Sequence, residues 1–270
     1  MNMQVKGESS RSLELPYYEV QGNEIALFES AYKTNLPMLL KGPTGCGKTR
    51  LVQHMAARLK RPLYTIACHD DLTASDLVGR HLIEGGSTYW QDGPLTKAVR
   101  DGGICYLDEV VEARKDTIVV LHPLTDDRRT LSVERTGEVL QCPPEFMLVV
   151  SYNPGYQNLL KGIKPSTRQR FVAATLQYPS TETEVKILIQ ETGIDKARAS
   201  QLVRLASGLR KLKDIDLEEA PSTRLLVYAS ELILVDIPAK EACLAAIIEP
   251  LTDDQETTKI LMDVVDAIFT

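Results

Sequence analysis

A chain of 270 residues with 43% apolar content can bury one large core or two modest ones. Its 31 basic and 37 acidic residues leave a net charge of −6 with no long basic run, which disfavours nucleic acid as a partner. Residues 1–16 are polar without the apolar heart of a signal peptide, and no stretch approaches the roughly 18 apolar residues of a membrane span. The expectation is a soluble, cytoplasmic protein with no membrane insertion.

In chain order, a polar tail over 1–16 precedes an α/β nucleotide-binding domain expected over 17–178. Pro37–Leu40, Pro62–Cys68, Gly103–Leu107, Phe146–Ser151 and Phe171–Leu176 are short apolar runs, the texture of central strands in a parallel sheet flanked by helices on both faces. The first run leads into Gly42-Pro43-Thr44-Gly45-Cys46-Gly47-Lys48-Thr49, which satisfies G-x-x-x-x-G-K-[ST], and Lys48–Leu59 continues as a helix. The glycines let backbone N–H groups close around a triphosphate. Lys48 reaches the β and γ oxygens, Thr49 holds magnesium, and the helix N-terminus adds partial positive charge. ATP and Mg²⁺ are the expected substrate and cofactor.

Two segments fit neither core strand nor core helix. Residues 80–90 put Gly85-Gly86 between β-prone arms, and residues 129–141 flank Arg135-Thr136-Gly137 with Thr130–Val133 and Glu138–Gln141; both read as hairpins. Between them, Ile104-Cys105-Tyr106-Leu107-Asp108-Glu109 ends an apolar strand in two carboxylates. Asp108 can hold the metal opposite the phosphate loop, and Glu109 can polarise an attacking water as general base. The strand Phe146–Pro154 delivers Asn153 to the same sheet edge, where a neutral amide can orient water and sense the γ-phosphate, although Asn-Pro also favours an ordinary turn. Arg168 and Arg170 stand just before the last core strand, where an arginine can serve a neighbouring subunit's nucleotide as a finger. Arg170 is the favoured finger and Arg168 its helper or substitute.

After Tyr178-Pro179 the texture becomes helical. Glu182–Thr192, Lys196–Lys213, Ser222–Val235, Ala239–Glu249 and Asp253–Phe269 carry helical spacing, with prolines at the breaks and Thr181/Glu184, Asp195 and Asp253 as start signals. This predicts an all-helical lid domain over 179–270. Arg224 begins one of its helices and can fold the lid onto the γ-phosphate. The histidines His54, His69, His81 and His122 lack metal spacing, and His69-Asp70-Asp71 reads as a cap for the helix after it. Cys46, Cys68, Cys105, Cys142 and Cys243 form no C-x-x-C pair, so buried reduced thiols are expected. Trp90 reads as an anchor at the foot of the first hairpin.

These parts in this order resemble an AAA+ ATPase, and the two hairpins narrow the resemblance to the MoxR branch. In that branch one insertion interrupts the second core helix, matching His81–Trp90, and another precedes the Asn-bearing strand, matching Thr130–Gln141. The stretches 68–79, 90–95, 107–114, 122–128 and 151–156 resemble the CbbQ/NorQ subgroup. The resemblance covers Tyr17 to Pro179 strongly and the tail more loosely. It implies a homo-hexamer working with a partner that carries a von Willebrand factor A domain, CbbO-like or NorD-like. The client is Rubisco, freed of inhibitory sugar phosphates, or in the NorQ case nitric oxide reductase, activated or loaded with metal. The whole-chain likeness leans to the Rubisco activase ATPase. A monomeric P-loop kinase explains the phosphate loop but not Asn153, the arginines or the tail. A DNA-handling ring runs against the acidic balance, and a non-hydrolysing scaffold against Glu109.

Overall fold

The computed structural model describes residues 15–156, 164–212 and 219–269. Most of the polar tail and the end of the run expected to close at Lys213 lie outside the described residues. Helix α1 (Glu24–Lys33) leads to β1 (Met38–Lys41), the phosphate loop and α2 (Lys48–Arg58). Next come β2 (Leu63–Ala67), α3 (Ala74–Val78), the hairpin β3 (Gly79–Glu84) and β4 (Ser87–Asp92), α4 (Pro94–Asp101) and β5 (Ile104–Asp108). A short helix α5 (Lys115–Val119) precedes the second hairpin, β6 (Thr130–Val133) and β7 (Glu138–Gln141), followed by β8 (Met147–Tyr152), α6 (Pro165–Arg168) and β9 (Val172–Thr175).

The five expected core strands pair in parallel in the order β2-β5-β8-β1-β9. Alternation sends their side chains into two apolar layers. Met38, Leu40, Ile104, Tyr106, Met147 and Val149 pack on one face with Phe28, Leu51 and Met55 of α1 and α2. Leu39, Cys105, Leu107, Leu148 and Val150 pack on the other with Leu77, Leu95 and Val99 of α3 and α4. Because both faces are covered, the strands read as continuous apolar runs. All five cysteines are free and buried, as expected.

Both hairpins form where the turn residues point. Gly85 and Gly86 have φ of 58° and 82°, the left-handed region that a two-residue hairpin turn requires. The first hairpin separates α3 from α4 and the second immediately precedes β8. Trp90 packs against the core, donates from Nε1 to Asp92, and meets the His81 ring edge-on. Arg100 of α4 bonds both Asp92 at the foot of the first hairpin and Glu138 of the second, so one guanidinium ties the two together.

The helices α7 (Thr181–Thr192), α8 (Lys196–Leu209), α9 (Thr223–Leu234), α10 (Ala239–Cys243) and α11 (Gln255–Ile268) share a separate core built on Leu188, Leu202, Leu205, Leu226, Ile247, Leu261 and Val265. Some helix boundaries differ from expectation. Ser180, not Thr181, caps α7, because Glu184 is turned inward and unavailable to a capping box. Asp254 rather than Asp253 caps α11, whereas Asp195 caps α8 as expected, accepting from the N–H groups of Ala197 and Arg198. The run Ala239–Glu249 is not one α-helix, since Leu244–Ile248 widens into a π-helical turn. The helix after His69-Asp70-Asp71 is capped by Thr73, whose hydroxyl and N–H exchange bonds with Asp76 in a capping box. No helix among the described residues is long and apolar enough to cross a membrane.

Candidate nucleotide site

Parallel strands present their carboxyl ends on one side of a sheet, and ligands gather where the strand order reverses direction. Here three adjacent strands do so: β1 runs into the phosphate loop, β8 ends before Asn153, and β5 ends at Asp108. A cleft of about 900 Å³ opens above them. It is lined by Thr44 to Arg50, Asp108 and Glu109, by Tyr17, Tyr18 and Gln21 of the N-terminal segment, and by Arg224 and Tyr228 of α9.

The loop's shape depends on its glycines. Gly45 has φ of 68°, and a Cβ there would lie 2.5 Å from the Cβ of Ser222, so α9 begins directly on the loop. Gly42 approaches the Leu176 carbonyl closely enough that a Cβ would sit 2.6 Å from its oxygen. Gly47 is left-handed and opens α2. Lys48 is buried and donates from Nζ to the carbonyls of Gly42 (2.9 Å) and Pro43 (3.0 Å). Cys46 differs from its loop neighbours: its side chain belongs to the apolar layer and burial pushes its thiol pKa up, so it packs rather than reacts.

Thr49 donates to Asp108 Oδ2 at 3.1 Å. The other Asp108 oxygen accepts from the hydroxyls of Ser151 (2.6 Å) and Tyr106 (2.7 Å). A hydroxyl facing a carboxylate is a set of hard oxygen donors suited to magnesium, so Thr49 and Asp108 fit that ion. Glu109 stands with its backbone at φ 52° and ψ 52°, a strained conformation for a non-glycine residue and a feature of functional sites. Its N–H donates to Ser151 Oγ (3.2 Å), while its carboxylate lies 3.6 Å from Lys48 Nζ and accepts from the Asn153 N–H at 3.2 Å. Burial raises its pKa above the usual glutamate range, opposed by Lys48 and reinforced by Asp108. Asn153 is buried, donates from Nδ2 toward Thr44 Oγ1 (3.4 Å) and accepts from the Gly155 N–H.

Thus Lys48, Thr49, Asp108, Glu109, Asn153 and Arg224 gather around the loop. Arg168 and Arg170 do not line the cleft. Arg170 instead bonds Asp126 and the His122 carbonyl, each at 3.3 Å. Asp126 is gripped by Arg128 first and by Arg170 as well, and its pKa falls to about 2. Thr167 of α6 reaches His122 Nε2 at 3.3 Å, completing a platform beneath Arg170. Among the described residues no group of His, Cys, Asp and Glu forms a further metal cluster.

Sequence reasoning missed Ser151, Tyr106 and Tyr18. Ser151 is the one small polar residue inside the strand Met-Leu-Val-Val-Ser-Tyr, a signal that was available. Tyr18 packs its ring against His54, and its OH donates to Glu24.

Comparison with known proteins agrees with this architecture. Residues 37–171 match the AAA domain (dynein-related subfamily) and residues 184–268 match the CbbQ/NirQ/NorQ C-terminal family. The chain is 63% identical over 254 residues to the denitrification regulatory protein NirQ of Stutzerimonas stutzeri, covering 94% of this chain and 92% of that one. It is 60% identical to protein NorQ of Paracoccus denitrificans over the whole of both chains. With protein CbbQ of Hydrogenophilus thermoluteolus it shares 53% identity, over 94% of this chain and 95% of the other. A RuvB structure from Thermotoga maritima shares the fold at a TM-score of 0.55 and 16% identity, covering 95% of this chain and 73% of that one. With a matching domain model at each end and relatives alike along nearly its whole length, the chain belongs to the CbbQ/NirQ/NorQ group of MoxR-type AAA+ proteins and is a nucleotide-binding ATPase.

Proposed function

We propose that this ATPase is a homo-hexameric, cytoplasmic remodelling motor that uses Mg²⁺ and hydrolyses ATP in clefts shared by adjoining subunits. The observation that carries this reading is the position of Arg170. It lies outside its own cleft on the His122–Asp126 platform, while the catalytic carboxylates gather around the phosphate loop. An arginine held that way is available to a neighbour's triphosphate.

In this mechanism Lys48 and the loop amides hold the β and γ phosphates. Magnesium, held by Thr49 and Asp108 when bound, would neutralise charge on the phosphate oxygens. Glu109 takes a proton from the attacking water as its oxygen bonds the γ-phosphorus and the β–γ bridge breaks. Asn153 orients that water, Arg170 of the next subunit spreads the developing charge, and Arg224 reports the γ-phosphate to the lid. The domain division is tail 1–16, nucleotide-binding domain 17–178 and lid 179–270. Hydrolysis does work on a client only if the nucleotide states contact that client differently.

For the client, identity favours the denitrification side: 63% and 60% with the NirQ and NorQ proteins against 53% with CbbQ. The motor would then activate a nitric oxide reductase, together with a partner bearing a von Willebrand factor A domain. Activation of Rubisco with a CbbO-like partner is the second reading, supported by the extent of the CbbQ match. Mixing Lys48→Ala with Arg170→Ala protein tests the shared cleft. Mixtures regain turnover if intact half-sites meet, and inert mixtures alongside fully active lone protomers would sink the reading. Purification from the native host with nucleotide present separates the clients by which enzyme accompanies the protein.

A further inference from the structure

We propose that Tyr178, Arg210 and the buried Glu184 are positioning residues. They form a strut that fixes the start of α9, and with it Arg224, on the phosphate loop. This rests on the reading of Arg224 as the lid's contact with the γ-phosphate.

The strut is built from groups far apart in sequence. Glu184 of α7 is 1% exposed, the kind of burial that a carboxylate tolerates only when fully paired. Arg210 supplies the pairing as a fork, with Nη1 to Oε2 and Nη2 to Oε1, each 2.8 Å. The Thr223 hydroxyl adds a third donor to Oε1 at 2.7 Å, and Arg210 Nε reaches the Pro221 carbonyl at 2.9 Å. Pro221 and Thr223 flank Ser222, the residue that abuts Gly45. One ion pair therefore joins the first turn of α7, the end of α8 and the entry to α9.

Tyr178 connects this assembly to the loop. The Arg210 guanidinium lies 4.1 Å from the centre of its ring, a stacking that positions ring and fork together. Its hydroxyl faces two carbonyls, Thr44 at 3.3 Å and Ala220 at 3.2 Å. A phenol has a single proton and can donate it to only one of them at a time. One acceptor belongs to the phosphate loop and the other to the segment entering α9, so the hydroxyl can exchange partners as the lid shifts. Hydrolysis in the core and the posture of the lid are coupled at this point. Nothing in the strut touches the reacting atoms; it acts through Arg224.

The test compares Tyr178→Phe, Arg210→Lys and Arg224→Ala in the full-length protein, alone and combined, with folding checked by circular dichroism and steady-state ATP turnover measured. Tyr178→Phe keeps the ring and loses only the hydroxyl. Arg210→Lys keeps charge on Glu184 but lacks the planar fork. We expect kcat to fall about tenfold in each folded variant and KM for ATP to rise about threefold. Combination with Arg224→Ala should bring no further loss, because residues acting through one another are not additive. Folded variants with kcat and KM within about twofold of the parent would overturn the strut, as would losses that multiply with that of Arg224→Ala. If Arg210→Lys does not fold, Tyr178→Phe decides alone. An Arg224→Ala variant with kcat and KM unchanged would instead refute the reading of Arg224 itself.

Discussion

Ser151 offers the sharpest test of how the site is held. Its hydroxyl is fully buried on β8, donates to Asp108 Oδ1 at 2.6 Å and accepts from the Glu109 N–H at 3.2 Å. Replacement by alanine removes a hydrogen bond to a charged group, worth about 1.5–3 kcal/mol, and leaves a backbone N–H without its acceptor, worth about 1–3 kcal/mol. Partial relaxation makes the sum an upper bound, so a loss of about 3 kcal/mol is expected, a large share of the roughly 5–15 kcal/mol that holds a domain. The same change frees Asp108 to turn and releases the N–H that pins Glu109 in its left-handed conformation. Groups that orient metal ligands typically cost about 10–100-fold when removed, so kcat should fall by that factor and more Mg²⁺ should be needed for half-maximal turnover. Urea denaturation and a magnesium titration of ATPase rate measure the two effects. Turnover within twofold of the parent at an unchanged magnesium midpoint would show that Ser151 merely fills space.

Two other substitutions address the carboxylates. Glu109→Gln should leave ATP binding intact by equilibrium dialysis and lower turnover by about 10²–10⁴-fold, the usual contribution of a general base; unchanged hydrolysis would refute its role. Burial raises the Glu109 pKa, so the active ionised form is lost as pH falls, at a higher pH than an ordinary glutamate. The stability sign follows: the contribution of a raised carboxyl is full below its unfolded pKa and is lost as pH rises through the folded one. Glu109→Gln should therefore be more stable than the parent at neutral pH, with the difference closing as pH falls through the glutamate range. Asp126→Ala should lower turnover of the assembled protein about tenfold with nucleotide affinity unchanged, because Arg170 loses its carboxylate partner. With the Asp126 pKa lowered to about 2, the carboxylate stays ionised across pH 5–9 and its effect should not vary there; its contribution to stability fades only as pH falls from the unfolded aspartate pKa towards 2. A steep pH dependence of the Asp126→Ala effect would contradict this assignment.

What could be read from the sequence is what depends on neighbours along the chain. A parallel strand covered on both faces must be apolar at successive positions, so the runs from Pro37 to Leu176 mark the sheet. The phosphate loop declares its chemistry within eight residues, and Gly85-Gly86 fixes a hairpin because few other residues accept those angles. Helix starts were less legible. Ser180 and Thr181, or Asp253 and Asp254, offer adjacent side chains of similar capping strength, and tertiary demands choose between them. At α7 the demand is visible, since Glu184 leaves the capping position to pair with Arg210. The Ser151 hydroxyl stands out in its apolar strand, but neither its partner nor that of Tyr106 could have been assigned by pattern. Their hydroxyls matter because sheet register sets Tyr106 beside Val149 and Leu107 beside Val150, which brings Ser151 level with Asp108.

The same distinction bears on the two arginines, of which the sequence favours Arg170 only by its place next to Phe171. Arg168 closes α6 while Arg170 lies just beyond it, and both side chains are polar, long and exposed. Only the fold reveals that His122 and Asp126, more than forty residues earlier, meet Arg170. A guanidinium gripped at two acceptors loses less conformational freedom on meeting a phosphate than one free in solvent, which is what a finger presented to another subunit requires. The grip must also be weak enough to release. Two bonds of 3.3 Å on an exposed surface meet that condition, and Arg128, which holds Asp126 at 2.6 Å, keeps the carboxylate occupied when Arg170 departs. Within the His122–Arg128 stretch, the His122 carbonyl, Asp126 and Arg128 each take part in that arrangement. Under the proposed shared cleft, it is a cradle that Arg170 would leave on meeting a neighbour's phosphate.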